Sequence, residues 1–291
     1  MKPAPFAYVR PTTLEEALTA LAAEPGAKVL AGGQSLVPLL SMRLAAPSMI
    51  IDINALPDLG HVTVTSDGGG AGVRIGALAR HAEVLASVEA SEAQPLLAMA
   101  LSNVAHPTIR NRGTTVGSLV HADAAGEMPM VLRLLGGSVD VASVRGRRTI
   151  PAAELYVGPL ESSLAHDEIA VGAFFPALAD GAGVAFEEIA RRHGDYALVG
   201  VAAHVECSAD EVVAARLGFV SVSDVPVVVD VTDAVREGAD PAAAALRELD
   251  PAEDIHATAA YRAHLVRVLT TRVLAAAIDH ARSRAGKVSS G

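Results

Sequence analysis

Residues 110–129 read Arg110-Asn-Arg-Gly-Thr-Thr-Val-Gly-Ser-Leu-Val-His-Ala-Asp-Ala-Ala-Gly-Glu-Met-Pro129. They are the second of two glycine-rich segments, and the first reads Lys28-Val-Leu-Ala-Gly-Gly-Gln-Ser-Leu-Val-Pro38. Both carry hydroxyl or amide residues beside their glycines. Glycine has no Cβ, so its backbone can approach an anion closely and adopt φ > 0. Successive N–H groups in such turns form an anion-binding concavity. The pair predicts two loops that hold the two phosphates of one dinucleotide from opposite sides.

The standard dinucleotide motifs are absent from both segments. Gly32 and Gly33 are adjacent, without the spacing of G-x-G-x-x-G, and neither segment contains G-x-x-x-x-G-K-[ST]. Neither a Rossmann crevice nor a P-loop is therefore indicated. Each segment alone is also typical of an ordinary tight turn. It is the pair, with Ser35, Thr114 and Ser118 beside the glycines, that favours phosphate binding.

Composition limits the class of protein. The chain has 291 residues, which is enough for two domains or for one large one. Hydrophobic residues make up 51% and aromatic residues only 3%, with no Trp, so we expect a sizeable core built mostly from Ala, Val and Leu. The formal net charge of −10 argues against a basic face for nucleic acid.

Cysteine and histidine usage excludes several kinds of site. Cys207 is the only cysteine, so the chain cannot form an internal disulfide, a cysteine-rich zinc site or its own iron–sulfur cluster. The histidines show no recognisable metal-ligand spacing. We expect a reducing, cytoplasmic setting. The N-terminal residues lack the apolar stretch of a signal peptide, and no apolar run approaches the roughly 20 residues of a membrane span.

Local patterns predict an α+β protein. A capping box, Thr12 with Glu15 or Thr13 with Glu16, begins a helix that Pro25-Gly26 ends. Strands are predicted at 28–31, 49–53, 73–75, 138–144, 165–176, 184–190, 199–206, 212–221 and 227–231, with a short helix at 34–44 and a glycine turn at 67–72. The chain ends in a long helix whose apolar stripe is Tyr261, Leu265, Val268, Leu269 and Val273.

Four blocks in this order resemble the FAD-binding medium subunit of the molybdenum hydroxylases, the family of carbon monoxide dehydrogenase and xanthine dehydrogenase. They are Leu30-Ala-Gly-Gly-Gln-Ser-Leu36, Ile109-Arg-Asn-Arg-Gly-Thr114 through Glu127-Met-Pro129, Phe186 through Arg192-His-Gly-Asp-Tyr-Ala197, and Tyr261-Arg-Ala-His-Leu265. The blocks span nearly the whole chain. The second is the most specific, because a glycine turn followed by His-Ala-Asp is an unusual combination.

The resemblance implies a fold and a role. The fold is a two-subdomain FAD-binding fold of the PCMH/VAO type over residues 1–178, with subdomains of about 1–55 and 56–178. A C-terminal α+β domain of a short antiparallel sheet plus helices follows over residues 179–291. The role is electron transfer: substrate is oxidised at a molybdopterin cofactor on a large subunit, and electrons pass through [2Fe–2S] clusters on a small subunit to FAD here. The single cysteine fits that division of labour.

The resemblance also assigns cofactor-binding residues by position. It implies that the pyrophosphate is bound by backbone N–H groups of Ala31, Gly32, Gly33, Gln34, Ser35 and Leu36. A second binding segment, called the second clasp, would consist of Thr114, Thr115, Val116, Gly117 and Ser118. It places His121, Asp123 and Glu127 beside the ribose or flavin, Tyr196 against the flavin ring, and Lys28 near the phosphates. Asp123 and Glu127 are four apart, so a helix there would put both on one face. Each of these residues also has a plainer interpretation. The histidine would be structural, the two carboxylates would be solvated helix residues, the tyrosine would lie in the core and the lysine would lie on the surface.

Three departures from the family pattern lie in the second clasp. Val116 replaces a glycine, although a β-branched residue cannot easily take φ > 0. Ala124 replaces a proline, and Gly126 replaces an alanine, which would weaken a helix by about 1 kcal/mol. They motivate an alternative, a structural or assembly subunit on the same fold with a weakened or lost FAD site. A hydrolase using Ser35 or Ser118 is a weaker alternative, because neither serine lies in G-x-S-x-G.

Overall fold

The computed structural model describes residues 2–66, 70–208 and 211–288. Residues 67–69 of the predicted glycine turn lie outside the described residues. The described part mixes helices with three main sheets, which confirms the predicted α+β class. None of the described helices is long and apolar enough to cross a membrane.

The first sheet is parallel. Its elements are β1 (Ala7–Val9), α1 (Leu14–Ala23), β2 (Ala27–Leu30), α2 (Leu36–Met42) and β3 (Met49–Asp52), followed by a 3-10 turn at Ile53–Ala55. β3 pairs with β1 on one side and β2 on the other. α1 begins at the predicted capping box, with Thr13 as N-cap and Glu16 returning the bond. Because parallel strands end at the same edge, the segment after β2 lies beside the turn after β3.

The second sheet is antiparallel and is interrupted by six helices. Its elements are β4 (Val62–Thr65), β5 (Gly72–Gly76), α3 (His81–Ala86), α4 (Val88–Ala93), α5 (Pro95–Leu101), α6 (Pro107–Arg110), α7 (Thr115–His121), α8 (Glu127–Leu135), β6 (Ser138–Ser143), β7 (Gly146–Pro151), α9 (Ala152–Leu155), β8 (Tyr156–Gly158), β9 (Glu161–Ser162) and β10 (Ile169–Pro176). The strand order is β4-β5-β10-β6-β7, while β8 and β9 form a separate hairpin. The interruption by α3–α8 brings the second glycine-rich segment back toward the first sheet.

The third sheet is antiparallel, with strands in the order β11-β12-β13-β14. Its elements are β11 (Ala182–Ala190), β12 (Ala197–Ser208), β13 (Glu211–Val220), β14 (Val227–Asp230), α10 (Thr232–Glu237), α11 (Pro241–Ala245) and α12 (Ala259–Val288). α12 lies across β11 and β12. Of its predicted stripe, Leu265, Leu269 and Val273 are buried, whereas Tyr261 is 45% exposed.

α8 connects the second sheet to the third. Met128, Met130, Leu132 and Leu134 have no exposed surface, because α8 packs against α5 on one side and β12–β14 on the other. A Cβ at Gly218 on β13 would lie 3.0 Å from Met130 Cγ and 3.4 Å from Leu134 Cβ. This glycine therefore lets the third sheet approach the helix closely.

Candidate functional site

The first glycine-rich segment is a connection of five residues between β2 and α2. Gly33 has φ +74°, a conformation that favours glycine. The backbone N–H groups of residues 32–36 have no acceptor among the described residues. Unpaired consecutive donors of this kind form an anion-binding concavity, and we call residues 32–36 the nest. The nest contains Gly32, Gly33, Gln34, Ser35 and Leu36, as predicted for this segment, and follows Ala31.

The second segment is a helix start rather than a loop, so that prediction was wrong. Thr114 is the N-cap of α7, and its Oγ1 accepts a hydrogen bond from Gly117 N at 3.2 Å. Val116 lies within the first turn and is 2% exposed, so no positive φ is needed there. Thr115, Gly117 and Ser118 follow in the same short helix. The valine therefore contributes to the core instead of straining a turn.

The two segments touch through their backbones. A Cβ at Gly32 would overlap Arg112 O and would lie 2.8 Å from Gly113 Cα and 3.0 Å from Thr114 N. Only a residue without a side chain allows this approach. The nest and the N-cap of α7 are therefore neighbours, which a single site formed by the two sequence segments requires.

Two residues that the sequence patterns missed hold this contact. Arg80 donates from Nη1 to Arg112 O at 2.9 Å and from Nη2 to Asn54 Oδ1 at 2.7 Å. Asn54 in turn donates from Nδ2 to Ala31 O at 2.8 Å. The chain of bonds ties the residue before the nest to the residues before α7. No local motif signals it, because Ala31, Asn54, Arg80 and Arg112 lie in four separate segments of the chain.

Asp52 holds Asn54 in place through hydrogen bonds to its carboxylate. It is 9% exposed and accepts hydrogen bonds from Tyr8 OH at 2.6 Å and from Asn54 N at 2.9 Å. Burial alone would favour its neutral form, but these hydrogen bonds hold the pKa of Asp52 below its ordinary value. A fixed carboxylate thus orients the amide that supports the nest.

His81 supports α7 from inside. It is 4% exposed, and its Nδ1 lies 3.2 Å from Thr115 Oγ1. Burial, reinforced by the nearby charge of Arg110, lowers the pKa of His81 to about 4. The imidazole is therefore neutral at neutral pH and acts as a structural hydrogen-bonding group.

Asp123 and Glu127 do not share a helix face, so that prediction was also wrong. α7 ends at His121, and its C-cap Ala122 has φ +57°; Asp123 Oδ1 accepts a bond from Ala125 N at 2.9 Å in the following turn. Gly126 is the N-cap of α8 and Glu127 is its first residue. The glycine consequently stands outside the helix and does not carry the helix-interior cost that was expected.

Glu127 lies close enough to a second, half-buried carboxyl, that of Glu188, to interact with its charge, and the sequence did not reveal this pair. Glu127 is 7% exposed, so it is not a solvated helix residue. Burial, and then the nearby charge of Glu188 on β11, raises the pKa of Glu127 to about 8. Burial also raises the pKa of Glu188 to about 7, and its Oε2 has no hydrogen-bond partner among the described residues. At neutral pH the pair therefore retains protons that exposed carboxyls would release.

Tyr196 lies in the loop between β11 and β12, at a cleft between the second and third sheets. It is 65% exposed, so the core interpretation is wrong. Partial desolvation, followed by the charges of Asp123 and Glu127, raises the pKa of Tyr196 to about 12. Gly194, with φ +89°, seats this loop on the ring of His106: a Cβ there would lie 2.8 Å from Nε2 and still closer to other ring atoms. Tyr196 thus presents an open aromatic ring beside Asp123.

The remaining predicted residues are less central. Lys28 is exposed on β2, and no described residue forms a hydrogen bond or ion pair with its ammonium group. His121 is half-buried in the last turn of α7. Among the described residues, neither side chain forms a hydrogen bond or ion pair with the nest, so their roles in cofactor binding stay predictions.

Comparisons with known proteins agree with this geometry. Residues 4–178 match the family described as the FAD binding domain in molybdopterin dehydrogenase. Residues 184–277 match the CO dehydrogenase flavoprotein C-terminal domain. The chain belongs to the FAD-binding medium subunits of the molybdenum hydroxylases. It is thereby an FAD-dependent oxidoreductase subunit, and the nest and the N-cap of α7 lie in its FAD-binding domain.

Relatives of this medium-subunit family match over nearly their full length. The chain is 41% identical to the 6-hydroxypseudooxynicotine dehydrogenase complex subunit alpha of Paenarthrobacter nicotinovorans, covering 97% of both chains. It is 40% identical to the nicotine 6-hydroxylase medium subunit of the same organism, over 94% of this chain and 98% of that one. The structure superposes on a chain of carbon monoxide dehydrogenase from Hydrogenophaga pseudoflava with a TM-score of 0.90 and 31% identity, covering 96% and 99% of the two chains.

The residues present fit a dinucleotide cofactor. The nest supplies free N–H donors for a diphosphate, and Gly32 removes the Cβ that would otherwise fill the junction with α7. Tyr196 offers an aromatic face within the cleft that Asp123 also lines. Donors for a phosphate and an aromatic face for a ring are therefore both present among the described residues.

Proposed function

We propose that this chain carries FAD as the electron-transfer subunit of a multi-subunit molybdenum hydroxylase. In this role it takes electrons from the [2Fe–2S] clusters of a small partner subunit, and a large subunit oxidises the substrate at a molybdopterin cofactor. FAD passes the electrons to an external acceptor. The observation that carries the proposal is the contact between the nest and the N-cap of α7 at Gly32. The relatives' names, which describe subunits of dehydrogenases and hydroxylases, support the assembly.

Within this function the chain supplies binding and orientation, and the flavin supplies the redox chemistry. We propose that Ala31 to Leu36 hold the diphosphate through backbone N–H groups, while Thr114 to Ser118 close the site from the other side. Asp123 and Glu127 border the ribose or flavin region, and Tyr196 covers one face of the flavin ring. We place the boundary between the FAD-binding domain and the C-terminal domain at about residue 178, and we expect a cytoplasmic location.

The absorption spectrum of the purified chain tests this proposal. Flavin bands at roughly 375 and 450 nm, with FAD released on denaturation, are expected from the cofactor's chemistry. A folded chain that stays colourless after FAD is added, both alone and with its partner subunits, would instead support the assembly-subunit alternative. One reason for that alternative no longer holds, because Val116 is helical and requires no strained backbone.

A further inference from the structure

Arg80 connects the two glycine-rich segments from a third part of the chain. It is the N-cap residue of α3, and its backbone forms an antiparallel β-bridge with Thr114, the N-cap of α7. Its guanidinium donates to Arg112 O, the same carbonyl that a Cβ at Gly32 would strike. It also donates to Asn54, which in turn holds the residue before the nest. The guanidinium therefore lies at the junction where the nest meets the residues before α7.

The positive charge of Arg80 has no ion-pair partner among the described residues. Its two hydrogen bonds go to uncharged oxygens, Arg112 O at 2.9 Å and Asn54 Oδ1 at 2.7 Å. The carboxylates of Glu83 and Asp52 act on the charge only from a distance. Glu83 instead accepts from the backbone N–H of Arg80 at 2.8 Å, and Asp52 accepts from Asn54 N. A guanidinium carries five N–H donors, so most of the donors of Arg80 are unused.

Arg112 brings a second positive charge to the same junction. Its side chain is exposed and forms no hydrogen bond or ion pair with a described residue. Burial, and then the like charge of Arg112, lowers the pKa of Arg80 below its usual value. Two cations held near each other repel unless an anion offsets them. With the free N–H groups of the nest, they make this junction locally positive in a chain whose formal net charge is −10.

The two hydrogen bonds of Arg80 do not by themselves require a cation. A neutral amide could bond the same oxygens without the cost of desolvating a charge or of placing two like charges together. A half-buried guanidinium with unused donors, next to free backbone N–H groups, fits instead a ligand anion with several acceptor oxygens. Arginine binds phosphate groups in this way, because its planar fork matches their oxygens.

We propose that Arg80 binds the diphosphate of the cofactor and supplies the positive charge that the nest lacks. The inference rests on the proposed function, because the diphosphate belongs to FAD. The nest contributes neutral N–H donors, whereas Arg80 contributes a charged donor at the junction of the two segments. The exposed Arg112 adds a weaker attraction that dissolved salt screens. Binding of FAD therefore depends on a charged side chain as well as on the shape of the glycine-rich backbone.

Flavin titrations of the full chain at two salt concentrations test this role. The protein is freed of FAD and titrated with FAD at about 50 mM and about 500 mM NaCl, a range over which screening of exposed charges becomes strong. Arg80→Gln removes the charge but keeps an amide donor for the neighbouring oxygens. Its Kd for FAD should rise about tenfold at low salt, the worth of one hydrogen bond to a charged group. At high salt its Kd should approach that of the parent, since salt screens the charge that the variant lacks.

Arg80→Lys separates the charge from the hydrogen bonds that join the two segments. Lysine keeps the positive charge but lacks the planar fork that reaches Arg112 O and Asn54 together. Its Kd for FAD should lie between those of the parent and Arg80→Gln and should keep the parent's dependence on salt. Arg147→Gln is the matched control, because Arg147 is an exposed arginine on β7, at the other edge of the second sheet from β4 and β5. That variant should bind FAD as the parent does.

Three results would overturn the role of Arg80 while leaving the flavin subunit intact. The first is a parent Kd for FAD that does not change with salt, a result that needs no variant to fold. The second is an equal Kd in Arg80→Gln and the parent at both salt concentrations. The third is an equal loss of affinity in Arg80→Lys and Arg80→Gln with the parent's salt dependence in both, because Arg80 would then only join the two segments. A parent chain that binds no FAD, alone or with its partner subunits, would overturn both proposals.

Discussion

A single glycine, Gly32, decides whether the two halves of the flavin site can meet. Gly32→Ala would push its Cβ into Arg112 O and Gly113 Cα, both of them backbone atoms that cannot rotate away. We expect the variant to lose most of its bound FAD and about 1–3 kcal/mol of stability, as overpacked sites do. The flavin absorbance per chain and a denaturant titration measure the two effects.

Gly60→Ala is the control for that substitution, because no atom lies within 4 Å of a Cβ at Gly60. It should keep both FAD and stability. Normal flavin content in Gly32→Ala would mean that the nest and the N-cap of α7 do not act together.

We expect the buried Glu127 and the half-buried Glu188 to make stability depend on pH. In the unfolded chain both ionise near an ordinary pKa of about 4.3, whereas in the fold their pKa values are about 8 and about 7. The folded state therefore binds more protons than the unfolded state between about pH 5 and 8, and the free energy of unfolding falls as pH rises through that range. Replacing both with Gln should remove this part of the slope.

Unfolding of the double variant and of the parent at pH 6 and pH 8 measures that slope. The Tm of the parent should drop more between the two values than that of Glu127→Gln/Glu188→Gln. Exposed Glu248→Gln serves as the control and should follow the parent. Parallel pH profiles for all three proteins would show that the two carboxyls ionise normally.

At the scale of elements, α7 depends on its first residue. Thr114→Ala removes the acceptor of the 3.2 Å bond from Gly117 N, and capping losses of this kind cost about 1 kcal/mol. We expect FAD affinity to fall as well, since the N-cap borders the nest. Thr114→Ser, which keeps the hydroxyl, should restore both properties in thermal unfolding and flavin titration. An unaffected Thr114→Ala variant would remove the proposed part of α7 in binding.

Elements with strong periodic patterns, and α1 with its capping box, were predictable, whereas the short helix α7 was not. The strands of the third sheet and the stripe Leu265, Leu269 and Val273 of α12 agree with their hydrophobic spacing. The helix at Thr115–His121 was missed because Gly117 suggested a turn. Glycine is needed at position 117 for a different reason: a Cβ there would lie 2.5 Å from the capping hydroxyl of Thr114. Thr114 followed by Val116 and Leu119 was the available signal for a helix.

At the scale of the whole molecule, α8 packs against α5 and against β12–β14, so we expect the second and third sheets to unfold together. Met130 has no exposed surface and packs on the third sheet at Gly218. Met130→Ala is expected to cost about 2–5 kcal/mol and to lower the melting of all sheets in one calorimetric transition. Met42→Ala, at a position 51% exposed, should have little effect. Two separate transitions in the Met130 variant would contradict a shared core.

Long-range contacts lay outside the reach of sequence patterns. Arg80 and Asn54 are 26 positions apart, and Glu127 on α8 interacts with the charge of Glu188 on β11. The two glycine segments were identifiable because each has a local composition, whereas the residues that join them have none. The two glycine-rich segments could thus be found in the sequence, whereas the residues that join them, Arg80 and Asn54, could not.

The burial of α8 also limits how chains of this kind can be recombined. A chimera that takes residues 1–178 from one relative and the remainder from another would cut the sequence at a surface connection. It would nevertheless set the outer face of one protein's α8, with Met130 and Leu134, against a foreign β13. A productive exchange would have to transplant that face together with the sheet, so that the inherited unit is a packing surface rather than a continuous length of chain.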